Sequence, residues 1–403
     1  MQADASRPHP SRRSLAGLDW FTFFLADVQT GFGPFVAVYL TAAHWTQEDV
    51  GLILSVAGII NLVGRVPGGA IVDAARSERD AAMAAVVCVG LSALLLAAWP
   101  MFAAVLLATI LNAAAGCVLT PAIAAISLGL VGHAAVGPRL GRNARFASLG
   151  TGVAAASMGV VGYFFSSRGV FVITALLLFP TLIALAQIRA AEVDPVRAHA
   201  GVVPAEGSDR SILQLLLYRP LLAFAAANAL FQLANAAMLP LMGSILTMRS
   251  ANWATVLIAA CIIVPQLVVA LISPWVGRRA DSWGRRPLLL LGFGALPLRC
   301  LLFAYASDPV LVVFEQILDG LSAAVLGVLV PLIISDIAQE TGRFNFAQGV
   351  VGTAVGIGAA LSTSFAGYIS DQYSNRVAFL DLAAIATCGV FFVLIIMPET
   401  RSR

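Results

Sequence analysis

The chain contains no lysine, so all 24 of its basic residues are arginine, and charged residues of both signs make up only 11% of its 403 positions. A water-soluble domain of this length could not cover its surface with so little charge, and the 60% share of hydrophobic residues excludes that class. A formal net charge of +3, spread over scattered arginines, also argues against a nucleic-acid partner. Cysteine is scarce. Residues 88, 117, 261, 300 and 388 all lie in apolar runs without metal-ligand spacing and read as buried small residues, so no metal and no cofactor are expected. There is no nucleophile–base arrangement and no Walker loop, which argues against an enzyme and leaves an ion gradient as the energy source.

What the chain has instead is apolar length, with a mean hydropathy of +0.91. A spanning helix needs about 20 mostly apolar residues. Twelve such runs are predicted, at 16–40, 47–71, 81–99, 102–131, 146–166, 169–188, 220–246, 253–277, 287–306, 309–337, 346–369 and 378–397. The first is too long for a signal-peptide core and carries Asp27, so it is read as an uncleaved span. With the N-terminus placed in the cytoplasm, nineteen arginines fall inside, while Arg168, Arg249 and Arg376 fall outside and Arg65 and Arg299 lie within spans. Both termini are therefore expected in the cytoplasm. The organisation that follows is a tail over 1–15, six spans over 16–188, a polar linker over 189–219, six spans over 220–397 and a tail over 398–403.

The two halves repeat. Phe23–Asp27 aligns with Phe231–Asn235, Trp45 with Trp253, and Gly69-x-x-x-Asp73 with Gly277-x-x-x-Asp281, all at an offset of 208; Gly141 and Gly342 correspond at 201. Residues Gly277, Asp281, Gly284, Arg285 and Arg286 form the pattern Gly-x-x-x-Asp-x-x-Gly-Arg-Arg. Six plus six spans and this repeated turn resemble the major facilitator superfamily of secondary transporters. The resemblance implies an all-α integral membrane fold, with twelve transmembrane helices in two pseudo-symmetric six-helix bundles, and a cytoplasmic gate at the two turns. The first copy lacks the second glycine and the paired arginines, having Arg76 and Arg79 instead. It is therefore expected to be the looser latch, with Asp281 held firmly by Arg285 and Arg286. Small residues at Gly64 and Gly68, at Gly152, Ala156 and Gly159, and at Gly352, Gly356 and Ala360 mark close helix packing.

Ionisable groups at membrane depth cost energy and are functional candidates. Asp27 leads as the proton site, with Asp319 and Glu315 next; the last two share a helix face at i and i+4. The resemblance places spans 1, 4, 7 and 10 around a cavity, to which Gln29, Asn112, Gln232 and Asn235 would contribute. Arg299 is expected to pair with Glu315, leaving Asp319 free, or else to enter the cavity and favour an anionic solute. Arg65 either snorkels toward the cytoplasm or lines the cavity beside Asn61. Asp19 and Asp336, near cytoplasmic ends, are expected to be solvated.

The expected function is proton-coupled secondary transport of a small organic solute by alternating access, in an inner plasma membrane, by a monomer whose partners are the solute, protons and lipid. Export is placed first, although span 5 lacks the Gly-Pro pair usual in exporters of the resembled family. Uptake of a metabolite, nucleoside-like compound or siderophore, and a non-transporting receptor, are the alternatives.

Overall fold

A computed structural model describes residues 10–30, 36, 39–40, 43, 45–75, 77–98, 101–164, 167–198, 218–238, 241–242, 254–305, 308–339 and 343–400. Among the described residues every regular element is a helix. In chain order they are α1 (Arg12–Thr30), α2 (Gln47–Val63), α3 (Arg65–Ala74), α4 (Glu78–Ala98), α5 (Phe102–Val131), α6 (Val136–Phe164), α7 (Ser167–Gln187), α8 (Arg219–Asn235), α9 (Ala254–Trp283), α10 (Arg285–Tyr305), α11 (Pro309–Ala338), α12 (Phe344–Gln372) and α13 (Asn375–Ile396). Among them, α4, α5, α7 and α9–α13 are each long and apolar enough to cross a bilayer, and α2 with α3 makes a ninth, bent span.

That bend has a local cause. The axes on either side of Gly64 differ by 51°. Pro67 has no N–H to give to the carbonyl of Val63, and its ring crowds that carbonyl. Gly64 itself keeps ordinary helical angles, φ −77° and ψ −15°. It is small because a Cβ there would lie 3.0 Å from the Cys117 sulfur of α5, and one on Gly68 would lie 2.5 Å from the Cys117 carbonyl oxygen. The expected small-residue contact of Gly64 and Gly68 is thus present. Gly152 faces open space instead, and it is Gly150 that touches the backbone of Phe23.

Two compact units divide the chain: Met1–Glu206 with Ala338–Gly349, and Gly207–Ile337 with Val350–Arg403. The core of the first joins Leu18, Phe21 and Leu25 of α1 to Val86, Leu119, Ile126 and Leu185. Val193 and Ala198, from the stretch read as a linker, are part of this core. The Asp194 N–H donates to the Gly129 carbonyl at 3.1 Å, and a Cβ on Gly129 would meet Val193 at 2.7 Å. The first eleven residues after α7, 188–198, are therefore docked, because two apolar side chains are worth more against the bundle than in water; residues 199–217 lie outside those described. Side chains such as Leu271 and Ile395 remain exposed, as lipid-facing residues of a bilayer protein should.

Candidate functional site

The Gly277–Arg286 motif is helical for most of its length, since α9 runs through to Trp283. The turn is one residue, Gly284, at φ +91°, a left-handed conformation that side chains resist. A Cβ there would also lie 2.6 Å from Oε2 of Glu399. That carboxylate caps the start of α10, accepting from the backbone N–H groups of Arg285 at 2.8 Å and Arg286 at 3.1 Å. The Arg285 side chain is buried and donates to Asp281 at 2.9 Å, to Asp336 at 3.0 Å and to the Ala280 carbonyl at 2.6 Å. Arg286 does not join Asp281; it donates to the Leu394 carbonyl. Asp336 is not solvated either, because its side chain is 3% exposed and also accepts from Thr400. Glu399 and Thr400 were missed in the sequence, where two polar residues after the last span look like ordinary tail.

The first copy is equally well held. Oδ1 of Asp73 accepts from Nδ2 of Asn345 at 2.7 Å and from its N–H at 3.3 Å, and Oδ2 accepts from the Phe346 N–H at 2.8 Å. Asp73 thus caps α12 where the helix dipole favours a negative charge. Gly69, one turn earlier, touches the Asn345 carbonyl, which leaves no room for a larger residue. Asp73 does not pair with Arg79, and Arg76 lies outside the described residues. The expectation of a looser first latch is overturned. The amide groups of Asn345 and Phe346 lie far away in sequence and have no charge signature to read.

Asp19 departs from expectation as well. It is 2% exposed and accepts from Arg139 and Arg142 of α6, the latter through Nη2 at 2.6 Å. Arg139 reaches on to Asn143 at 2.8 Å, and Asn143 to Ser127 at 2.7 Å. These arginines had been placed in a loop, but α6 begins ten residues before the predicted span, and the helix carries them onto one face. Nearby, Oε2 of Glu192 accepts from the N–H and hydroxyl of Ser11, both at 2.9 Å. Desolvation opposes ionisation of Glu192, but the bonds from Ser11 and Ser14 and the Arg189 charge together hold its carboxyl below the usual range.

At membrane depth, the second unit assembles a polar cluster around Arg299, which is 2% exposed. Its Nη1 donates to Asp319 and, at 3.0 Å, to Oδ1 of Asn235; Nη2 donates to Oε1 of Gln316 at 3.0 Å. The guanidinium also lies 5.3 Å from the Phe303 ring centroid. The expected Arg299–Glu315 pair is not formed; its place is taken by Asp319, one turn further along α11. Depth counted from helix ends could not resolve a difference of one turn, about 6 Å. Asp319 is consequently not free, though its side chain is 28% exposed. Oε2 of Glu315 is buried without a hydrogen bond, as are Nε of Arg299 and Nε2 of Gln316. Gln316 was not singled out in the sequence, where an amide beside two carboxylates attracts no notice.

Of the other predicted cavity residues, Asn112 on α5 and Gln232 on α8 are partly buried and stand apart from this cluster's bonds. Asp27 and Gln29 lie in the last turns of α1, and their side chains are outside the described residues, as are Trp253 and Gly342. A cluster with one guanidinium and two carboxylates on one helix face can hold or release a proton, or bind a charged group.

Comparison with known proteins accounts for the two halves together. The model of the Major Facilitator Superfamily matches residues 18–268 and again residues 222–403. This chain belongs to that superfamily. The double match fits the repeat at an offset of 208, and the superfamily's twelve-helix fold agrees with α1–α13, with α2 and α3 as one broken span. An uncharacterized MFS-type transporter of Mycobacterium tuberculosis (strain ATCC 25618 / H37Rv) is 38% identical over 396 residues, covering 96% of this chain and 94% of that one. Multidrug resistance protein 2 of Bacillus subtilis (strain 168) is 27% identical over 165 residues, covering 41% of this chain and 40% of that one. The solved structure of the proton:xylose symporter XylE matches the fold with a TM-score of 0.73, covering 96% of each chain at 14% identity. The chain is thus an integral membrane transporter of the superfamily, whose members move small solutes.

Proposed function

We propose that this transporter couples the export of a small organic solute to proton movement, with the Arg299 cluster as the coupling site. The observation that carries this reading is the charge balance of the cluster: one guanidinium faces Asp319 directly, while Glu315 on the same helix face has an unpartnered buried oxygen. A proton arriving at Asp319 removes its charge and loosens its hold on Arg299. The guanidinium then depends on Asn235, Gln316 and Glu315, and loss of the proton restores the first arrangement. Such a two-state element biased by one proton is what coupling requires. Asp27, with Gln29, Asn112 and Gln232, is assigned to the solute path or to a second proton site. The turns at Gly69–Asp73 and Gly277–Arg286 are assigned as gates.

Export is supported by the likeness, over two fifths of the chain, to a protein named for multidrug resistance, since expulsion of a compound would confer resistance. The proposed topology keeps both termini in the cytoplasm, with spans over 16–188 and 220–397, in a bacterial inner membrane and as a monomer.

The test uses proteoliposomes enclosing a pH-sensitive dye, an imposed pH gradient and a panel of small organic solutes, with solute flux and internal pH followed together. Flux that moves protons, with the coupling lost in Asp319→Asn, is the expected result. Flux indifferent to the gradient, or coupling undiminished in Asp319→Asn, refutes the reading. Binding of a panel member without flux would point to a receptor on the same fold.

A further inference from the structure

Arg65 is the membrane-depth cation of the first unit, and its surroundings differ from those of Arg299. Its Nε donates to the Asn61 carbonyl at 3.2 Å, one turn back along the chain. The side chain therefore runs back toward Asn61, the second of the two placements the sequence left open, and away from the Asp73 end. No carboxylate among the described residues pairs with it. The residue is only partly exposed and sits at the α2–α3 bend, with Gly64 and Gly68 pressed on Cys117.

α2 exposes two faces. Leu52, Ile59 and Val63 form one, each more than half exposed, as suits contact with lipid tails. Gly58 and Asn61, which are also exposed, lead into Arg65 on a face about 200° further round. On α5, which meets this stretch at Cys117, Asn112, Gly116 and Thr120 recur every four residues, and Thr120 is exposed. A Cβ added to Gly58 or Gly116 would meet nothing within 4 Å. A half-buried arginine with an exposed asparagine and an exposed threonine nearby in the bundle does not make a lipid surface; groups of this kind face a water-filled path.

We propose that Arg65, with Asn61, forms a binding site for the anionic group of the solute, a carboxylate or a phosphate. A planar guanidinium with no carboxylate partner among the described residues can take such a group through two parallel N–H donors, and the exposed Asn61 amide supplies a neutral hydrogen bond beside it. This names the solute class and rests on the transport reading above. Arg299 does not compete for the role, because its donors are already given to Asp319, Asn235 and Gln316.

The test is phenylglyoxal labelling of the purified full chain in nanodiscs, read residue by residue by mass spectrometry. The probes are benzoate, succinate and inorganic phosphate, with benzamide as the neutral comparison. Exposed Arg278 reports full reactivity and buried Arg299 reports protection by the fold. Arg65 is expected to label readily and to be slowed about tenfold by at least one anion near ten times its dissociation constant, but not by benzamide. Failure of Arg65 to label, or labelling that none of the three anions slows, overturns the site. In the proteoliposome assay the transported solutes should be anions whose flux is lost in Arg65→Gln. If Arg65 is protected but nothing is transported, the site stands and the transport reading falls. If cations or neutral solutes move and Arg65 is unprotected, transport stands and the site falls.

Discussion

Replacing Arg299 by glutamine isolates the partner choice that distinguishes this structure from its sequence. The substitution removes a charge-assisted bond to Asp319 and two neutral-acceptor bonds, to Asn235 and Gln316, and it strands a carboxylate at membrane depth. Breaking a fully buried pair costs about 3–5 kcal/mol. Asp319 is 28% exposed and can recover some hydration, so the lower end, about 3 kcal/mol, is expected for Arg299→Gln. Asp319→Asn keeps an oxygen for Arg299 to donate to and should cost about 2 kcal/mol. The double variant leaves no stranded charge, so its loss should fall short of the sum by about 1.5 kcal/mol or more. The same cycle with Glu315→Gln should show a smaller coupling than with Asp319, because Glu315 makes no bond to Arg299 and acts on it only through its nearby charge. Thermal unfolding in detergent, followed with folded yield, measures both cycles. Coupling to Glu315 equal to or larger than coupling to Asp319 would refute the assignment.

Four further outcomes can be checked. Gly284→Ala combines a φ of +91° with a Cβ 2.6 Å from Glu399, so it should lower stability by at least about 1–2 kcal/mol; Glu399→Gln, which keeps an acceptor, should cost less. Asp73→Ala removes the cap of α12 and should cost about 1–2 kcal/mol, with Asp73→Asn milder, and hydrogen exchange at the Asn345 and Phe346 amides should rise in both. Unchanged protection there would show that the cap contributes nothing. Transport should suffer at least as much from Asp73→Asn as from Asp281→Asn, the reverse of the asymmetry expected from the motif alone. The Glu192 carboxyl lies below its ordinary range when folded, so its contribution is present above the unfolded value and is lost as pH falls through the folded one. Exchange protection at Ser11 and Ser14 should therefore persist into the usual carboxylate range and disappear only below it.

Much of the fold could be read directly. Apolar runs of bilayer length reveal spans because a helix is what satisfies the backbone of such a segment without water. Eleven of the thirteen helix starts lie within four residues of the start of a predicted run, and the repeat at 208 anticipated the double family match. Charged helix ends were harder. α6 starts ten residues early because Arg139 and Arg142 are held by Asp19, and a hydropathy argument discards arginines whose counter-ion is 120 residues away. The bend at Gly64 follows from Pro67, which was visible, but the close approach of Gly64 and Gly68 to Cys117 was not.

The amino-acid sequence by itself determined the family, an all-helical membrane transporter, where its two repeated glycine–aspartate turns lie, and which polar residues fall within apolar runs. Composition and period carry that information because burial in lipid acts on every residue of a span. Only the tertiary structure decided who meets whom. Asp319 rather than Glu315 bonds Arg299, the Asn345 side chain and backbone amides at the start of α12 bond Asp73, Glu399 closes the turn at Gly284, and Arg65 pairs with no carboxylate among the described residues. Electrostatic pairing operates over a few ångströms, and at that range a single helical turn changes the partner.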